Sequence, residues 1–226
     1  MKIKNGTITL IAFLSTLYCP FTLCETQGTN VDLTMHHKAI KQQQHQTFTV
    51  EKTTTSLSIP NVTLLNQNGE KVKVSEKLIN GKIVLLNTIF TSCSTICSPM
   101  GANYARLQKI LSQKLGESKL RKKIILLSVS VDPTTDTPQR LKSWKQKFNG
   151  QPGWTLLTGD RANIDKLLKA TGLFAADFVD HAPVALLGDA TSNRWRRVSG
   201  LTPAPMLAQL LVQQLDASTD PIAQEN

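Results

Sequence analysis

Cysteine is scarce in this chain, four residues of 226. That rules out a disulfide-stapled miniature scaffold. A chain of this length with 40% hydrophobic residues buries a core large enough to need no staples. Acidic residues are also in short supply, 16 against 26 Lys and Arg, for a formal charge of +10. The surplus is spread over 119–123, 142–147 and 194–197, and aromatics make up only 5% of the chain. Nucleic-acid binding is therefore a poor reading. A solvated basic face, meeting anionic lipid or an acidic partner, is the expectation. No internal repeat is present.

Charge is missing altogether between Lys4 and Glu25. After Lys2 and Lys4, residues 7–23 are mostly apolar, the pattern of a secretory signal, or of an N-terminal anchor if it is retained. No small-x-small cleavage site follows. Cys19 and Cys24 suggest lipidation, but Tyr18 and Leu23 are poor residues before a lipidated cysteine. Residues 1–24 are thus expected to be a signal peptide or anchor of an exported, periplasmic protein, soluble or tethered to the inner membrane. Their removal would take Lys2 and Lys4, lower the formal charge from +10 to +8, and leave Cys93 and Cys97 as the only cysteines. In an oxidising compartment such a pair is a disulfide unless a reductant or a metal keeps it open. Residues 25–56 are polar, rich in Gln and Thr, and read as a flexible linker. His36, His37 and His45 lie there at spacings that fit no fixed metal site.

The folded domain is expected over 57–215, with a disordered tail at 216–226. Two apolar segments flanking Asn66-Gln67-Asn68-Gly69 predict a β-hairpin. Two largely apolar runs, 82–90 and 124–131, predict strands buried on both faces. Between them, Tyr104, Leu107, Ile110, Leu111 and Leu115 recur at helical spacing from near Pro99, with Gly116 as a stop. Strand, helix, strand in that order implies a parallel crossover. Asp136 or Thr137 is a natural N-cap for a helix opening at Pro138. A strand at 154–157 and a helix capped by Asp160 or Asn163 follow. An antiparallel pair, 184–187 with 195–198, and a final helix over 204–215 complete an α/β domain. In such open sheets ligands gather at the carboxyl ends of the strands, where Cys93, Asp132 and Asp136 fall.

Cys93 and Cys97 stand at a strand-to-helix turn, four residues apart, so their thiols come one helical turn apart on one side. They suit a disulfide, a redox pair or a shared soft metal ion, and a helix N-terminus favours their thiolates. His181, just before a strand, offers an imidazole to the same point. Two thiolates and one imidazole suit Cu(I), and with a further ligand Cu(II); zinc fits the same set.

Three motifs together resemble those of the Sco/SenC family, copper-binding assembly factors of cytochrome c oxidase. They are Phe90-Thr91-Ser92-Cys93-x-x-x-Cys97, Ser130-Val131-Asp132-Pro133-x-x-Asp136-Thr137-Pro138, and Asp180-His181 before a strand. The resemblance implies a thioredoxin-like fold with an N-terminal β-hairpin and extra elements. It implies Cys93, Cys97 and His181 as copper ligands and Asp132 and Asp136 as part of the metal site or its supporting loop, where capping is their alternative role. The sequence departs from the family pattern at Ser94 and Ser98, where Pro often follows each cysteine, and at Ala182-Pro183, where Ser often follows the histidine. Pro183 stands where thioredoxin-like proteins often hold a cis-proline.

The expected function is a metallochaperone that delivers Cu(I) or Cu(II) to the copper-site subunit of a cytochrome c oxidase. The expected setting is a monomer close to a membrane. The enzymatic alternative is a thiol-disulfide oxidoreductase in which Cys93 and Cys97 reduce that subunit's cysteines. A peroxidase-like use of a cysteine sulfenate has no feature that selects it.

Overall fold

Asn-Gly chemistry shapes the first hairpin. β1 (Thr63–Asn66) and β2 (Lys71–Lys73) pair antiparallel. Gly69 takes φ +82° in the turn between them, and the Asn66 side-chain oxygen accepts the backbone N–H groups of Asn68 and Glu70. A single π-helical turn, Val74–Ile79, buries Val74 and Ile79 and leads through Gly81, at φ +70°, into the main sheet.

The two apolar runs become its centre. β3 (Ile83–Ile89) and β4 (Ile124–Ser130) are parallel neighbours in which every residue is buried. Alternate side chains feed two cores: Leu85 and Leu126 point into one, Val84, Leu86, Ile125 and Leu127 into the other. The crossover between them is α1 (Cys97–Leu115), which places Met100, Tyr104, Leu107 and Leu111 against the sheet at helical spacing. Gly116, at φ +74°, ends α1 as expected, but the chain enters a second helix at once, α2 (Glu117–Lys123). Glu117 in its first turn and Arg121, Lys122 and Lys123 in its last complement the helix dipole, and Arg121 pairs with Glu117. α1 itself begins two residues before Pro99, at the second cysteine.

The helix α3 (Pro138–Gln146) returns over the α1 side, carrying Leu141 and Trp144 into that core. β5 (Trp154–Thr158) joins β4 in parallel, and β1 pairs antiparallel with its far edge. The opposite core is covered by α4 (Arg161–Thr171), whose N-cap is Asp160 rather than Asn163: its side chain accepts the Asn163 N–H. β6 (Val184–Asp189) runs antiparallel to β3, and β7 (Arg194–Ser199) antiparallel to β6. The final helix, α5 (Ala204–Thr219), packs on α1 and extends beyond Leu215, where the sequence pattern fades.

The sheet order is β2-β1-β5-β4-β3-β6-β7, with helices on both faces. The computed structural model describes residues 55–176 and 183–219. The expectations for residues 1–54, including the signal and His36, His37 and His45, lie outside the described residues, as does His181. No helix among the described residues is long and apolar enough to cross a membrane.

Candidate metal centre

β3 ends at Ile89, and the chain must turn sharply to start α1. Cys93 N–H donates to the Phe90 carbonyl at 3.2 Å, closing that turn. Ile96, the residue that flanks the helix start, has no side-chain cap to offer the first N–H groups. The Cys93 sulfur fills this role: it accepts the Cys97 N–H at 3.4 Å and lies 3.5 Å from the Thr95 hydroxyl. Both thiols are free, Cys93 at 8% exposure and Cys97 fully buried. The pair thus sits on a helix N-terminus, with one sulfur at its mouth and the other beneath.

The two thiols differ electrostatically. Burial pushes the Cys93 thiol up, but hydrogen bonds with the Thr95 hydroxyl and with Cys97 outweigh it and bring it down to about 7. Burial pushes the Cys97 thiol up to about 12; a backbone hydrogen bond with Phe90 opposes this, while Cys93 and the Asp136 charge add to it. One cysteine ionises readily and its partner holds its proton.

The aspartates of the second motif divide their work. Asp136 is fully buried and does not cap α3. Thr137 caps that helix, accepting the Arg140 N–H. The Asp136 carboxylate accepts the Thr91 N–H at 3.1 Å, the Thr91 hydroxyl at 2.5 Å and the Ser130 hydroxyl at 2.6 Å. It therefore ties the end of β4 to the residue two positions before Cys93. Arg140 Nε also donates to the Thr91 hydroxyl, at 3.4 Å. Asp132 does something else: its side chain accepts the Thr135 N–H, and its carbonyl accepts the Thr135 and Asp136 N–H groups. It shapes its own turn.

Pro183 opens β6. Its carbonyl accepts the Gly200 N–H at 2.6 Å, and the bare Gly200 Cα faces the Met100 sulfur: a Cβ there would come within 3.2 Å of it. Pro183 is thereby placed beside the first turn of α1. The Ala182–Pro183 bond begins outside the described residues. Among those described, no third His, Cys, Asp or Glu joins the two thiols.

Thr91, Ser130, Thr95 and Gly200 were not singled out as site residues by the sequence. Thr91 and Ser130 lie inside the motifs but carry no chemistry of their own, and only the pairing of β3 with β4 shows that one carboxylate holds both.

The sequence model of the SCO1/SenC family matches residues 50–211. The SCO1 protein homolog of Bacillus subtilis is 38% identical over 98 residues, 43% of this chain and 47% of that protein. The chain spans about half the length of the curated relatives it matches. Among solved structures, BsSco, described as a member of the Sco family of cytochrome c oxidase assembly proteins with a disulfide switch, is 25% identical. Its TM-score is 0.60, covering 73% of this chain and 97% of that one. Copper-bound ScoI of Arabidopsis thaliana shares the fold at 22% identity and a TM-score of 0.56, covering 68% of this chain and 95% of that one. The α/β architecture is therefore that of the thioredoxin-like Sco structures.

Proposed function

The chain belongs to the SCO1/SenC family, and from that premise we propose that it is an exported copper-binding protein serving the copper site of a cytochrome c oxidase. Cys93 and Cys97, with His181, hold copper as cargo and surrender it to a partner's thiolates by ligand exchange. The observation that carries this reading is the pair of free thiols four residues apart, Cys97 in the first turn of α1 and the Cys93 sulfur accepting its N–H. Two soft sulfur donors at that position suit copper. His181 is two residues from Pro183, which packs by way of Gly200 against Met100 in the first turn of α1. Two residues of chain span at most about 7 Å, a separation that keeps His181 within reach of the cysteine turn.

Copper titration of the reduced protein tests this. Tight binding by wild type, lost in Cys93→Ser and Cys97→Ser and weakened in His181→Ala, is expected. Absence of tight binding by wild type overturns the reading. Unchanged affinity in His181→Ala removes the histidine from the ligand set.

The burial difference between the thiols favours a second reading, a dithiol reductant of the partner's cysteines. The Cys93 thiolate attacks the partner's disulfide and releases one partner thiolate. The Cys97 sulfur, giving up its proton, then attacks Cys93 and releases the second. The chain ends as a Cys93–Cys97 disulfide, and the partner gains two electrons, one proton released by Cys97 and a second taken from solvent. A Cys97→Ser variant should trap the mixed disulfide with a peptide carrying the partner's cysteine pair. No trapped species, with a dithiol too weakly reducing to open that pair, would sink this reading.

A further inference from the structure

The cation surplus found in the sequence becomes localised in the fold. Residues 97–123 hold seven Lys and Arg against one acid, Glu117, and residues 138–149 hold four against none. These stretches carry +6 and +4, equal to the whole formal charge of +10; the remainder of the chain balances. Both stretches lie on the α1 side of the sheet. Lys145 is buried, Arg140 stands by Thr91, and Arg106 and Lys142 lie within α1 and α3, but Lys109, Lys114, Lys119, Arg121, Lys122, Lys123 and Lys147 fall toward the far ends of these helices.

α1 has 19 residues, so Cys97 at its start and Lys114 near its end are about 25 Å apart. α2 continues from there to the start of β4, the sheet edge opposite the cysteine turn. Lys109, Lys114, Lys119, Lys122, Lys123 and Lys147 are exposed. Among the described residues, Arg121 alone at this pole has an acidic partner, Glu117. Between α1, α2 and 147–152 runs an open groove of about 810 Å³, flanked by Arg106, Lys109, Arg121 and Lys147.

We propose that this lysine pole docks the domain on an anionic phospholipid surface, holding the cysteine turn at the far end, away from the bilayer. The chemistry selects lipid over an acidic protein. Lysine is depleted in protein–protein interfaces, whose cores need aromatic or apolar anchors. The exposed large apolar side chains among the described residues, Phe174, Leu201 and Met206, all lie outside α1, α2 and α3. Hydrated, flexible lysines in a broad field are what anionic headgroups attract. The docking itself is independent of copper; only the use of the outward-facing cysteines rests on the proposed function.

The test is co-sedimentation of the full chain with phosphatidylcholine vesicles, with and without phosphatidylglycerol. Lys114, Lys119, Lys122 and Lys123 are changed together to Glu. In a control of equal charge, Lys71, Lys77, Lys166 and Lys169 are changed to Glu. All proteins keep residues 1–54, so any contribution of the apolar N-terminal stretch is common to them. Wild type and control should bind phosphatidylglycerol vesicles alike, with loss at high salt. The pole variant should bind on the order of a thousandfold more weakly. Equal loss in both variants, or no dependence on phosphatidylglycerol, overturns the proposal. Retention on polyglutamate with no vesicle binding overturns it too and assigns the pole to an acidic protein.

Discussion

At one end of the sheet a carboxylate, Asp136, is fully buried with three donors on it; at the other, lysines stand exposed and almost free of partners. The same kind of group, a formal charge, acts in opposite ways. Buried and hydrogen-bonded, it fixes geometry, because leaving any of its donors unmet costs free energy. Exposed, it contributes little to stability and acts at a distance as a field. The cysteine end is therefore sensitive to single atoms, and the lysine pole only to total charge.

The sharpest contrast lies within the cysteine end. Cys93, brought down to about 7, ionises near neutral pH, while Cys97, pushed to about 12, stays a thiol. Iodoacetamide, followed by peptide mass analysis, should modify Cys93 orders of magnitude faster than Cys97 in the reduced protein. Its rate should climb through about pH 7 and level off above. Thr95→Ala should move that midpoint upward; equal rates at the two cysteines would erase the contrast. Next in size, Asp136→Ala should destabilise the fold by about 3 kcal/mol in urea unfolding, since it strands Thr91 and Ser130 donors. Asp136→Asn, which keeps an acceptor, should cost less.

Gly200→Ala should cost about 1–3 kcal/mol by forcing a methyl to 3.0 Å from the Pro183 carbonyl oxygen and 3.2 Å from the Met100 sulfur. A neutral result there would mean that β6, β7 and α1 yield readily beside the cysteines. Lys145 tests the intermediate case, a buried cation: its Nζ donates to the Trp154 carbonyl at 2.6 Å. Burial brings its pKa from 10.5 down to about 8. The unfolded chain thus holds the proton more tightly, and this group's contribution to stability should rise between about pH 8 and 10.5. Lys145→Met should flatten that part of the stability–pH curve. Smallest of all, a fourfold Lys→Gln change at the lysine pole, which removes last-turn cations of α1 and α2 without placing acids there, should leave urea stability within about 1 kcal/mol of wild type. A larger loss would show that the pole is structural and not a field.

Much of this was legible in the sequence. Apolar-rich runs dictated the buried central strands, since a strand covered on both faces has no solvent-facing side, and two of the polar residues they do carry, Asn87 and Ser128, bond to each other. The Asn-Gly hairpin, the helical spacing of α1 and the cysteine motif at its head were readable from local chemistry. α2 was hidden because Gly116 reads as a stop and the seven residues after it bury only Leu120, too little apolar periodicity to announce a helix.

By itself, then, the sequence determined which residue types meet at the turn: two cysteines at a strand end, before a helix, in a chain with surplus positive charge. Only the tertiary structure decided how they are used. Hydrogen bonding and burial are properties of neighbours distant in the chain, so pairing β3 with β4 turned Asp136 from a candidate cap into the clamp on Thr91. The cap left empty by Ile96 fell to the Cys93 sulfur. Folding α1, α2 and α3 onto one face gathered scattered lysines at a single pole, because a helix's length and direction, not its composition, set where its charges end.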